Sequence, residues 1–245
     1  MALARGLMFL LLAAIPGGSP AHGAELVVDL SRHRVSISTG FTGSDVLLFG
    51  ATGGVGDVVV VVRGPVGRVA VRRKSRIAGI WVNRERAEFA GVPAFYSVSA
   101  SRPLAEIVPD AVAARLEIGA DRLRLRALSP GRDREAFRRA LVRNKRRLGL
   151  YPAKVGKVSF LGSRLFRAEV TFPANVPTGI YTVQVYLLHN GEVIGGQTTP
   201  LAVGKVGLEA WIFESAHRHS TLYGVIAVLI ALMAGWLSGA IFRRT

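Results

Sequence analysis

The chain contains no cysteine. That excludes disulfides, thiol nucleophiles, iron–sulfur clusters and cysteine zinc sites, so an exported form of it must be held together by its core alone. Acidic residues are also scarce: 16 Asp and Glu stand against 32 Lys and Arg, a formal net charge of +16. In a cytoplasmic protein that imbalance suggests nucleic acid. Outside a membrane it suggests anionic lipid headgroups, acidic polymers or small oxyanions such as sulfur oxyanions. Local catalytic motifs are missing as well. There is no G-x-S-x-G elbow, no H-E-x-x-H pair and no P-loop. Asp29, Asp45, Asp57, Glu85 and Glu88 are scattered and make no acid–base pair in sequence. An enzyme would need a site dispersed along the chain. The expectation is a non-catalytic protein without cofactor or metal.

One long hydrophobic run is present. Residues 222–242 read LYGVIAVLIALMAGWLSGAIF, without charge or proline. At about 1.5 Å per residue such a helix covers a hydrocarbon core of roughly 30 Å, and it has no polar face to turn to water. The run predicts one transmembrane helix. Ala227, Ala231, Gly235 and Gly239 recur at four-residue spacing and stack on one face, where small side chains let a second helix approach. Membrane helices are rich in Ala and Gly in any case, so the stripe reads either as ordinary composition or as a docking face for a partner helix or a second copy. Arg243 and Arg244 follow at once and predict a cytoplasmic tail at 243–245.

The N-terminus agrees. Arg5, the apolar stretch 7–15, the break at Pro16, Gly17 and Gly18, and small residues at Ala21, Gly23 and Ala24 describe a signal peptide over 1–24. The expected arrangement is a single-pass protein of a bacterial inner membrane, its bulk periplasmic and its C-terminus cytoplasmic. In that compartment nucleic acid is not a partner.

Between these segments the texture is mainly β. Short runs rich in β-branched residues, separated by Gly and Pro turns, predict an immunoglobulin-like β-sandwich domain over 25–100. Residues 101–150 change to Ala, Leu, Glu and Arg and predict a helical basic insert. Strand patterns return over 151–204 as a second sandwich-like domain, with Asn190-Gly191 as its hairpin turn. Asn175 to Tyr181 leads into a strand in the manner of immunoglobulin-like modules. Residues 205–221 connect to the span, either as a surface helix that sets Leu208, Trp211, Ile212 and Phe213 against lipid or as a last strand and linker.

Three local features carry two readings each. VLLFGATGGVGDVVVVV at 46–62 resembles a dinucleotide-binding turn, but the glycines lead into Asp57 and five valines, which favour a strand where a helix is needed. A glycine hairpin is the plainer reading. Of the histidines His22, His33, His189, His217 and His219, the first falls in the leader, His33 reads as the polar face of a strand or turn, and the pair His217 and His219 lacks the acid or third histidine of a metal site and reads more plainly as membrane-proximal polar residues. Residues 133–148, DREAFRRALVRNKRRL, put Phe137, Ala140, Leu141 and Leu148 on one side of a helix. Arg138, Arg139, Arg143, Arg146 and Arg147 cover much of the rest. They supply solubility, or form a patch for anions or lipid.

The start of the expected mature chain, LVVDLSRHRVSISTGFTGSDVLLFGAT, the SRPLAEI at 101–107 and the KVGLEAWIFESAHRHSTLYGVIAVLIALMAGWLSGAIF that closes the chain together resemble one family. It is the Alph_Pro_TM family of alphaproteobacterial membrane proteins, which has no established activity. Tyr223-Gly224 and Gly235-Trp236 are the most recognisable pairs. The resemblance implies an inner-membrane protein with a periplasmic body, and a sulfite-exporter-type permease as an implied genetic neighbour. The function expected from all of this is an accessory or assembly subunit that docks its helix onto a membrane partner such as a transporter, or onto itself. The alternative is a periplasmic binding module for anions.

Overall fold

The computed structural model describes residues 26–206 apart from 78 and 129–132, together with 224–225 and 228–236. The protein is mainly β. Its strands are β1 (Leu26–Leu30), β2 (Arg34–Ile37), β3 (Gly43–Thr52), β4 (Asp57–Arg63), β5 (Val66–Ile77), β6 (Ile80–Pro93), β7 (Tyr96–Ala100), β8 (Arg126–Ala127), β9 (Gly156–Leu161), β10 (Leu165–Pro173), β11 (Gly179–His189) and β12 (Glu192–Lys205). Helices α1 (Leu104–Ile107), α2 (Asp110–Arg115) and α3 (Arg134–Arg147), with a 3-10 turn at Ala120–Arg122, lie between β7 and β9.

Nine strands join in the order β1-β3-β10-β9-β7-β4-β11-β12-β2. The expected split into one β domain at 25–100 and another at 151–204 does not hold. β10 pairs with β3 and β11 with β4, so each half of the chain supplies neighbours to the other, and one core is filled from both. Sequence periodicity reveals strands but not their partners, and here the pairing is non-local. Most pairs are antiparallel, but β12 with β2 and β7 with β9 run parallel. The glycines at 53–56 are not a hairpin either. They carry the chain from β3 to β4, which do not pair with each other. The expectation of a strand after them is met.

Five valines in a row make sense at β4, where every one is fully buried. Val58, Val60 and Val62 stand opposite Leu187, Val185 and Val183, and Val59 and Val61 opposite Tyr186 and Gln184. Both faces are therefore covered, which calls for an apolar run rather than alternation. Phe95, Phe172 and Tyr181 meet in the common core, with ring centroids 5.1 to 5.9 Å apart. The Tyr181 hydroxyl donates to Pro177 O at 2.6 Å and pins the turn that leads into β11. On the open side, the Gln197 side chain exchanges two 2.8 Å hydrogen bonds with the Val28 backbone. The Asn190-Gly191 hairpin forms as expected, both residues at positive φ (50° and 82°).

The second unit was not foreseen. Short runs at 69–71 and 80–82 belong to two long strands, β5 and β6, which form a separate three-stranded sheet with β8. The ladder of β4 and β7 passes without a break into β5 and β6: Arg63 faces Tyr96, Gly64 N donates to Phe95 O, Ala94 N donates to Pro65 O, and Val66 faces Pro93. The result is one long ribbon that leaves the body. Near its root α3 packs on it, and Val71, Ala87, Phe89, Val92, Phe137 and Leu141 make a small second core.

Within the expected span 222–242, the described residues 224–225 and 228–236 are helical. The remainder, with the signal peptide 1–24, most of the connector 205–221 and the tail 243–245, lies outside the described residues. Among the described residues no helix is long and apolar enough to cross a membrane.

Candidate functional site

The end of the body from which the chain departs is the natural place to look. β12 finishes at Lys205, Val206 N donates to Ile37 O at 3.0 Å, and Gly179 opens β11 opposite Val203. A shallow groove of about 240 Å³ here is lined by Arg34, Gly179, Ile180 and residues 202–206. Ile180 and Val206 are exposed between the cations Arg34 and Lys205. Gly179 must be glycine: its φ is +143° and an added Cβ would sit 2.7 Å from Pro65.

Farther along, the helical stretch 228–236 is apolar and uncovered. Val228, Leu229, Ile230, Leu232, Met233 and Trp236 are all more than half exposed. Ala231 and Gly235 of the expected docking face lie within it. Among the described residues a Cβ built on Gly235 meets nothing within 4 Å. Ala227 and Gly239 lie outside the described residues.

Helix α3 divides the expected arginine patch in two. Arg138 donates to Glu135 and, at 2.6 Å, to Asp121 O, while Arg146 reaches Asp121 Oδ2 at 2.8 Å. These two arginines fasten α3 to the 3-10 turn, and the guanidinium of Arg138 holds the Glu135 carboxyl below its ordinary range. Arg139, Arg143 and Arg147 sit at four-residue spacing on an exposed face. Arg147 donates to Asn144 Oδ1, and none of Arg139, Arg143 and Arg147 forms an ion pair among the described residues. In the last turn of the helix Lys145 is partly buried, donates to Ala94 O at 3.2 Å, and has its pKa lowered by that burial. Tyr151 donates to Pro93 O at 2.7 Å. Lys145 and Tyr151 thus brace the kink where the ribbon leaves the body.

One polar cluster has no sequence signature. Arg63, at the end of β4, donates to Leu116 O at 2.6 Å and to Gln184, and its guanidinium lies 5.9 Å from the Tyr96 ring centroid. Tyr96 Oη donates to Glu117 O and accepts from Gly119 N, both at 2.7 Å. Burial raises the Tyr96 hydroxyl to about 12. These contacts hold Glu117 at φ +54°. With no nucleophile among them, the group acts as a clamp that presses the loop 116–119 onto β4 and β7. At the opposite end of β4, Arg102 grips both oxygens of Asp57 (2.9 and 2.6 Å), which lowers the Asp57 pKa. His33 Nε2 lies 2.9 Å from Asp29. Among the described residues no three His, Asp or Glu side chains gather as metal ligands would.

A family model described as "Putative transmembrane protein (Alph_Pro_TM)" matches residues 25–244. A search of curated proteins found no match.

Proposed function

The chain belongs to the Alph_Pro_TM family of membrane proteins, and on that premise we propose that it is a non-catalytic accessory or assembly subunit, anchored by residues 222–242 and docked through that helix onto an inner-membrane partner such as a transporter. The observation that carries this reading is the bare apolar helix at 228–236, which nothing else in the described chain covers. Lipid covers such a surface in part, and a partner helix fits where Ala231 and Gly235 leave no side chain in the way. The body reads as an immunoglobulin-like module held in the periplasm. The two halves of the sheet across one core support that reading, as does the hydrogen bond from the Tyr181 hydroxyl back to Pro177, which resembles the tyrosine corner of such domains.

The test is co-purification from membranes in mild detergent. A stoichiometric membrane protein should accompany the wild-type chain and be lost from a Gly235→Leu, Gly239→Leu variant. Among the described residues a Cβ on Gly235 meets nothing within 4 Å, so loss would point to an intermolecular contact. Retention of the partner by that variant would remove the docking helix from the account.

A second reading has its own observation, the exposed Arg139 and Arg143 on α3. They would suit a small anion. Isothermal titration of the full chain in detergent with sulfite, sulfate and thiosulfate tests it, and silence at millimolar ligand dismisses it.

A further inference from the structure

The far half of the β5–β6 ribbon is the most conspicuous unexplained surface of the molecule. Beyond Arg73 and Glu85, neither α3 nor β8 accompanies it. β8 pairs only with Phe89 and Ala90, and the second core ends at Val71 and Ala87. A bulge between Arg73 and Lys74 re-sets the register, after which Lys74 faces Asn83, Ser75 faces Val82 and Arg76 faces Trp81. Ile80 and Trp81 stand 69% and 65% exposed at the tip, a large apolar pair presented to water. From 74 to 84 the sequence reads KSRIAGIWVNR, with three cations and no acid. Nearer the root the balance differs: Arg73 is shared between Glu85 and Asp133, and Arg86 contacts Glu88. A bare two-stranded ribbon is marginal in water, so a long one with an apolar tip calls for a surface to lie on.

Topology says which surface. The ribbon prolongs β4 past Arg63, and Arg63 faces Thr182 near the start of β11, whose Gly179 faces Val203 near the end of β12. Ribbon and departing chain therefore leave the body at the same end. From Val66 to Ile77 the ribbon extends about 36 Å at roughly 3.3 Å per residue. That is within the reach of residues 207–221, which span at most about 50 Å when extended. The tip can thus meet the bilayer in which the C-terminal run is anchored.

We infer that the distal ribbon is a second membrane contact, with Trp81 and Ile80 in the headgroup layer and Lys74 and Arg76 against the phosphates of anionic lipid. Tryptophan beside lysine and arginine is the composition that favours that layer. The outer edges of the ribbon remain hydrated there, as its unpaired backbone groups need. This inference rests on the reading of residues 222–242 as the anchor, but not on the existence of a protein partner. Held at two points, the body would be fixed in orientation over the membrane.

The full chain carrying Trp211→Phe and Trp236→Phe leaves Trp81 as sole reporter. It is reconstituted into vesicles of phosphatidylcholine alone, or of phosphatidylcholine with phosphatidylglycerol, and brominated phosphatidylcholine serves as quencher. Trp81 emission should shift to the blue and be quenched in the anionic vesicles. Lys74→Ala with Arg76→Ala should reverse both, the ratio of bound to free ribbon falling about fivefold per charge removed. Lys74, Arg76 and Trp236 belong to neither core, and unchanged far-ultraviolet circular dichroism checks that the fold is retained. A chain that floats with the vesicles while Trp81 stays unquenched in both lipid mixtures overturns the ribbon contact and leaves the anchor standing. A chain that does not float overturns both. A blue shift that appears only with a co-purified membrane protein assigns the tip to protein instead and equally overturns the lipid contact.

Discussion

The near and far halves of one β ribbon show what a protein keeps dry and what it leaves bare. In β4, five consecutive valines are fully buried in the main core. The same two chain segments, continued past Gly64-Pro65, end at Ile80 and Trp81 with most of their surface in water. Strand geometry is common to both, so the difference lies in what covers them. The near half is stabilised by its own chain. The far half has apolar area and positive charge but no covering among the described residues, and that combination marks a surface made for something else.

The contrast can be broken most forcefully at the core. Phe172→Ala empties the ring that meets Phe95 and Tyr181 and should cost about 3–5 kcal/mol, enough to unfold a marginal body. Denaturant unfolding measured on the detergent-solubilised chain would show it. Arg63→Ala removes the donors to Leu116 O and Gln184 and should cost about 2–3 kcal/mol by the same measurement. Tyr181→Phe, which leaves Pro177 O without its donor, should cost about 1–2 kcal/mol.

A weaker effect depends on pH. Because Arg102 lowers the Asp57 pKa below its ordinary 3.8, the pair stabilises the fold fully above that value. The contribution is lost as pH falls through the lower, folded value. Asp57→Asn should flatten this part of the acid limb in a pH series of melting temperatures. At the bare end, Trp81→Ala should change stability by no more than about 0.5 kcal/mol. A core-sized loss there would mean that the tip is packed within the chain, and the contrast would collapse.

Sequence patterns exposed the local half of this architecture. Strands β9 to β12 and the Asn190-Gly191 turn follow from alternation and turn chemistry, and α3 follows from Phe137, Leu141 and their basic surroundings. Pairing did not follow, because β3 finds β10 and β4 finds β11 across more than a hundred residues, and no period records that. The ribbon was hidden for another reason: residues 72–76, RRKSR, interrupt the apolar alternation on which strand recognition depends, although the backbone ladder continues through them. The arginine patch was half legible. Composition located the five arginines, but only the fold shows that Asp121 engages Arg138 and Arg146 and leaves the stripe of Arg139, Arg143 and Arg147 outward. Glu117 at positive φ carries no residue signal at all, since glycine or asparagine is the usual marker of that conformation.

Because the chain has no cysteine, a single introduced thiol reports its own location. Ser163→Cys, in the exposed turn between β9 and β10, and Thr245→Cys, in the tail, can each be offered to a membrane-impermeant maleimide in intact spheroplasts. Labelling of the first but not the second, with the second becoming reactive once the membrane is opened, is the result expected of a periplasmic body on one spanning helix. Labelling of Thr245→Cys in intact spheroplasts would contradict it.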